Sequence, residues 1–163
     1  MSIIIPVYNE EKTIIKTLQR LEETKDKRSE YEIIVINDGS KDNTLGLLQS
    51  NANLYQHLID EKQNRGKGYA VKKGLEISTG EYVIFQDGDL EYDPSDFSKF
   101  IDIIEKFKAD AIIGSRFNYN KYIRSLNILN KLGNYMLTLF FNILYNTTFT
   151  DICCCYLCFK KQL

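Results

Sequence analysis

Tryptophan is absent from this chain of 163 residues, proline occurs twice and histidine once. The lone His57 sits in an apolar stretch without a serine or cysteine at a recognisable spacing, so a histidine-activated nucleophile is not expected and His57 reads as structural. Cysteine is missing until the end, where Cys153, Cys154, Cys155 and Cys158 fall together. Neighbouring cysteines bridge poorly, which excludes a disulfide framework. A structural zinc site needs two separated pairs of ligands, so Cys155 and Cys158 alone make a poor one. The cysteines read instead as small buried hydrophobes in a reducing compartment. A charge bias is missing too. The formal net charge of −1 gives no basic field for nucleic acid and no acidic solvating tail. The opening Met1-Ser2-Ile3-Ile4-Ile5-Pro6 has no basic stretch and too short an apolar run for a secretory leader. A cytoplasmic location is therefore expected.

What is present is ordinary for one globular domain: 44% hydrophobic, 26% charged and 12% aromatic residues, the aromatics being Tyr and Phe. Apolar runs predict strands at Ile3–Val7, Tyr31–Asn37, Tyr55–Asp60, Glu81–Gln86 and Ala109–Gly114. Between them, helical spacing predicts helices over Glu10–Glu23, Asp42–Gln49, Tyr69–Ser78 and Ser95–Phe107. Strand and helix alternate, and the strands are continuous apolar runs. Both facts predict an αβα sandwich on a mostly parallel sheet covered on both faces. Ligands of such sheets bind beyond the carboxyl ends of the strands. The clusters Tyr8-Asn9-Glu10, Asp38-Gly39-Ser40 and Asp87-Gly88-Asp89 each follow a strand and should converge there.

Each cluster alone has two readings. Asp87 and Asp89 can both reach a hard divalent cation if the chain turns at Gly88, with Glu91 as a third oxygen. The same residues also suit a solvated acidic turn, with Asp93 capping the next helix. Asp38 can accept hydrogen bonds from a base or ribose, or merely serve a turn. Asn64-Arg65-Gly66-Lys67-Gly68 suits phosphate, yet it lacks the Ser or Thr that follows Lys in a P-loop. Arg116 suits forked contacts with phosphate, or a plain surface.

Six segments in order change that balance: Ile5-Pro6-Val7-Tyr8-Asn9-Glu10, Asn37 to Thr44, Asn64 to Gly68, Gln86 to Glu91, Gly114-Ser115-Arg116-Phe117, and Thr150-Asp151 with Cys155-Tyr156. Together they resemble family 2 glycosyltransferases of the branch that makes dolichyl- or polyprenyl-phosphate sugars. The resemblance covers almost the whole chain and implies a GT-A-like, Rossmann-type catalytic domain over residues 1–163, short of its C-terminal end. It implies that Pro6, Tyr8, Glu10, Asp38, Lys67 and Gly88 line the donor pocket, with Ile36 touching the base through its backbone. It gives Mg²⁺ or Mn²⁺ and the donor diphosphate to Asp87 and Asp89, with Glu91 beside them. Arg116 would meet donor or acceptor phosphate, and Arg124 acceptor phosphate. The implied reaction moves a hexose, with inversion, from a GDP-mannose or UDP-glucose type of donor to a polyprenyl phosphate. A saccharide acceptor, or a truncated domain that binds donor without catalysis, are the competing expectations.

The apolar run Ile128–Tyr145 has 18 residues, interrupted by Lys131, Asn134 and Asn142. That is near the lower limit for a membrane span. A segment lying at the membrane interface, at the cytoplasmic face, is the preferred expectation. An ordinary core helix is the alternative.

Overall fold

The computed structural model describes residues 1–24, 30–90, 92–115 and 128–162. Among these residues six strands form one sheet: β1 (Ser2–Val7), β2 (Glu32–Asp38), β3 (His57–Glu61), β4 (Tyr82–Phe85), β5 (Ala111–Ile113) and β6 (Leu157–Lys160). Their spatial order is β3-β2-β1-β4-β6-β5. The first four strands run parallel, and β6 is antiparallel to both of its neighbours. The sheet is thus mostly parallel, as the continuous apolar runs require. The helices are α1 (Ile14–Glu23), α2 (Thr44–Ser50), α3 (Lys67–Ile77), α4 (Phe97–Phe107) and α5 (Ile128–Tyr145).

Both faces of β1 and β2 are buried, and the strand period of two assigns each residue to a face. Ile3, Ile5, Val7, Ile33 and Val35 share one cluster with Ile14, Leu18 and Leu21 of α1 and with Phe97 and Phe100 of α4. Ile4, Ile34 and Ile36 meet Ala70 of α3 on the other face. Each such fully buried side chain contributes roughly 1.5–3 kcal/mol.

Two elements differ from the sequence expectation. The first helix begins at Ile14, because Glu10 makes its own turn: its carbonyl accepts from Thr13 N and Ile14 N. Its carboxylate accepts from Thr13 Oγ1 at 2.5 Å. The strand β6 was not expected at all. It inserts between β4 and β5, so Cys158 stands fully buried in the sheet and Cys154 is also buried, while Cys155 is exposed. The small-hydrophobe reading therefore fits two of the four cysteines.

The helix α5 matches its expected bounds, but not as a core helix. Among its residues only Thr138 is buried, and Ile128, Leu132, Phe140 and Ile143 are all more than half exposed. No helix among the described residues is long and apolar enough to cross a membrane.

Candidate active site

The cleft opens where β1 and β4 part. They pair from Ser2 to Ile4 and no further, while β1 stays paired with β2 through Val7. The chain moves from β1 outward to β3 and then returns to β4 on the other side. That is the topological switch point at which parallel sheets bind ligands.

A cleft of 320 Å³ lies there. The end of β1 supplies Pro6, Val7, Tyr8 and Glu10, and the end of β2 supplies Asp38. The loop into α3 supplies Asn64 and Lys67, with Ala70 behind them, and the turn after β4 supplies Asp87, Gly88 and Asp89. The structure therefore brings together eight of the residues singled out in the sequence. Ile36 is not on the cleft wall: it is buried in β2, two positions before Asp38, with its side chain in the α3-facing core. Glu91, Arg116 and Arg124 lie outside the described residues. Val7 stood inside the first of the six segments without a role of its own, and Ala70 had no sequence signal beyond being apolar beside a motif.

Asp38 is buried and already engaged. Its two carboxylate oxygens accept from Arg65 N at 2.9 Å and Gly66 N at 2.8 Å. It thereby holds the loop that opens α3, and charge-assisted bonds of this kind are the strong ones. Gly39 follows with φ +68°, and a Cβ there would stand 2.6 Å from Asn64 N. Only glycine lets β2 end in that turn against the loop.

The first two motifs are laced together. Asn9 N donates to Ser40 Oγ, Glu10 N to Thr44 Oγ1 and Glu11 N to Asp42 Oδ2, at 2.8–3.1 Å. In return, Lys41 N donates to Asn9 Oδ1 and Asn43 N to Glu11 Oε2. Asp42 also accepts from both the amide and the hydroxyl of Thr44. Burial pushes the Asp42 carboxyl up, but the bonds from Thr44 and Glu11 outweigh it and hold the pKa below the ordinary value. Asn9 takes φ +57° in this corner.

The acidic turn is pinned by Gln86, whose buried amide donates to the carbonyls of Asp87 and Tyr92. The chain turns at Gly88 and Asp89, as expected, and the left-handed residue of the segment is Leu90, with φ +65°. Gly88 is needed for close approach. A Cβ there would stand 3.1 Å from Val7 Cγ1, and its carbonyl accepts from the buried Thr17 hydroxyl at 3.0 Å. Asp93 does cap the following turn, accepting from Ser95 N. The metal and capping readings of this segment thus fall on different residues.

Lys67 Nζ donates to Asp87 Oδ1 across the cleft. Burial pushes the Lys67 ammonium down, but hydrogen bonding and charge from Asp87, with a smaller part from the Cys155 thiol, raise its pKa overall. Asp87 and Asp89 fit a hard divalent cation that keeps oxygen ligands from substrate. The pairing with Lys67 shows that this position already stabilises a positive charge. Among the described residues, no group of three His, Cys, Asp or Glu side chains converges on one metal position.

The sheet order is that of an α/β fold of the GT-A class. The family model for glycosyl transferase family 2 matches residues 2–163, and the chain belongs to that family. A dolichyl-phosphate beta-glucosyltransferase of Dictyostelium discoideum is 39% identical over 132 residues, covering 71% of this chain and 39% of that protein. The chain spans about a third to a half of the length of the curated relatives it matches. The mannosyltransferase PcManGT of Pyrobaculum calidifontis, solved with GDP-Man and Mn²⁺, superposes with a TM-score of 0.61 at 25% identity, over 70% of this chain and 34% of that one. A glucosyl-3-phosphoglycerate synthase from Mycobacterium tuberculosis shares the fold, with a TM-score of 0.73 at 18% identity, over 99% of this chain and 56% of that one.

Proposed function

We propose that this domain transfers a hexose, with inversion, from a nucleoside-diphosphate sugar to a polyprenyl phosphate, using Mg²⁺ or Mn²⁺. The observation that carries the reading is the cleft itself: one switch-point pocket lined by Tyr8, Glu10, Asp38, Lys67, Asp87 and Asp89. The similarity to a dolichyl-phosphate glucosyltransferase favours a lipid phosphate as acceptor. The donor named for the mannosyltransferase neighbour favours a GDP-mannose type of donor, and the name of the glucosyltransferase relative a glucosyl donor.

In this reading, Tyr8, Glu10 and Asp38 seat the nucleoside. Asp87 and Asp89 hold the cation, which when bound neutralises charge developing on the leaving diphosphate. Lys67 faces them across the cleft and meets the diphosphate. The bond from the sugar carbon to the diphosphate oxygen breaks as one to the acceptor phosphate oxygen forms. A phosphate monoester is already an anion near neutral pH, so no histidine base is needed. Arg116 and Arg124 are proposed to receive that phosphate. The exposed apolar side chains of α5 suit a site that works at a membrane surface, where a polyprenyl tail stays.

The test supplies labelled GDP-mannose or UDP-glucose, Mn²⁺, and either a polyprenyl phosphate or a saccharide. Label in the lipid product is expected, and Asp89→Asn abolishes it together with Mn²⁺-dependent donor binding in calorimetry. Label in the saccharide alone overturns the acceptor. Unchanged Mn²⁺ dependence in Asp89→Asn overturns the metal assignment.

A further inference from the structure

Lys67 is the first residue of α3, and Asp87 follows β4 on the opposite wall of the cleft. Their contact is a direct hydrogen-bonded ion pair, in which the Asp87 side chain is only 18% exposed. A carboxylate this covered is costly without a positive partner. Lys67 provides that partner from a separate element, in the position where a divalent cation would need the same oxygen. We propose that Lys67 is the built-in counter-cation of Asp87, competing with the divalent cation until a nucleoside diphosphate draws the ammonium away. The proposal rests on Asp87 and Asp89 being the metal carboxylates.

Charge explains the order of events. A cation arriving alone must break the Lys67–Asp87 pair and then sit beside a displaced ammonium, with no new anion to balance either. A diphosphate arriving with it gives Lys67 a new partner at the start of α3, where helix N-termini favour phosphate. It also releases the Asp87 carboxylate to the cation. Lys67 therefore makes cation and nucleotide binding cooperative, and coupling of this kind is reciprocal between the two ligands. The metal is kept weak until the donor is present, and no separate sensor is required.

The experiment titrates Mn²⁺, followed by the paramagnetic resonance of the free ion, against the unaltered chain, Lys67→Met, Lys67→Gln and Lys67→Arg. Each is measured alone and with saturating GDP or UDP, after thermal unfolding has established that the variant is folded. Removing one part-exposed ion pair should tighten Mn²⁺ binding in the absence of nucleotide by roughly two- to fivefold. The enhancement given by nucleotide should shrink by a similar factor in Lys67→Met and Lys67→Gln. Lys67→Arg, which keeps the charge, should stay near the unaltered chain. If the neutral variants bind Mn²⁺ alone no better and lose only nucleotide affinity, Lys67 is a simple phosphate ligand and the proposal falls. If the unaltered chain binds no Mn²⁺ even with nucleotide, the metal reading falls first, and the competition with it.

Discussion

Asp38 meets two demands with one carboxylate. It faces the cleft, and it also holds the amides of Arg65 and Gly66. Asp38→Ala should therefore do more than weaken nucleoside and nucleoside diphosphate alike. It leaves two backbone donors without their acceptor, so a loss of roughly 1–3 kcal/mol is expected in urea unfolding without ligand. Arg116→Ala, by contrast, should spare the free nucleoside and weaken only its diphosphate; the same ligand profile in both variants would end the division of roles. Away from the cleft, Glu32 carries a pH dependence. Burial pushes its carboxyl up, but hydrogen bonds from Ser2 and Thr79 and the neighbouring His57 bring it below the ordinary 4.5. The folded carboxylate thus binds its proton less readily than the unfolded one. Its contribution is complete above the ordinary value and is lost as pH falls through the lowered folded value. Thermal unfolding followed from neutral to acid should show a shallower acid loss in Glu32→Gln than in the unaltered chain.

At the scale of elements, the lacing between the ends of β1 and β2 gives Asn37 to Thr44 a purpose that its spacing alone left open. Ser40, Asp42 and Thr44 carry the backbone of Asn9, Glu10 and Glu11. Asp42→Ala should loosen the Tyr8–Glu10 wall from a distance. Donor affinity is expected to fall several-fold while Mn²⁺ binding to Asp87 and Asp89 is retained, and Asp42→Asn should recover part of the loss. Equal loss of both ligands would mean that the whole fold has weakened instead. This is also where sequence reading reached its limit. Strands such as Glu32–Asp38 were legible because continuous β-branched runs have few other uses, and the three polar clusters converged because each follows such a run. The partners of Asp38 were not legible, since Arg65 and Gly66 lie 27 and 28 positions away. The left-handed Leu90 was not legible either, because leucine gives no signal for a positive φ. Finally, Cys154 to Phe159 is itself a continuous apolar run, but its cysteines drew a reading as disulfide or metal candidates and small buried hydrophobes, so β6 was missed.

At the scale of the molecule, α5 leaves a broad apolar surface outside the core, with Phe140 at 63% and Ile143 at 71% exposed. Exposed apolar area of this extent marks an interaction surface. Under the lipid-acceptor reading that surface lies in the headgroup region, with Tyr135 and Tyr145 at its polar level. The purified chain should co-sediment with liposomes at low salt. Phe140→Asp with Phe141→Asp should release it while donor binding is unchanged. A folded chain that ignores liposomes would favour a soluble acceptor.

The insertion of β6 also sets the order in which the protein can assemble as it is made. The parallel strands β1 to β4 can pair as soon as they leave the ribosome, but β5 has its place only against β6. Leu157 emerges roughly seventy residues after Phe85, which at about 5–20 residues per second is on the order of 4–14 s. Throughout that interval the nascent sheet presents the outer edge of β4 with its backbone groups unpaired, the kind of edge onto which another strand adds. The chain closes that edge with β6, so synthesis slowed or halted before β6 should yield aggregates rather than a smaller working domain.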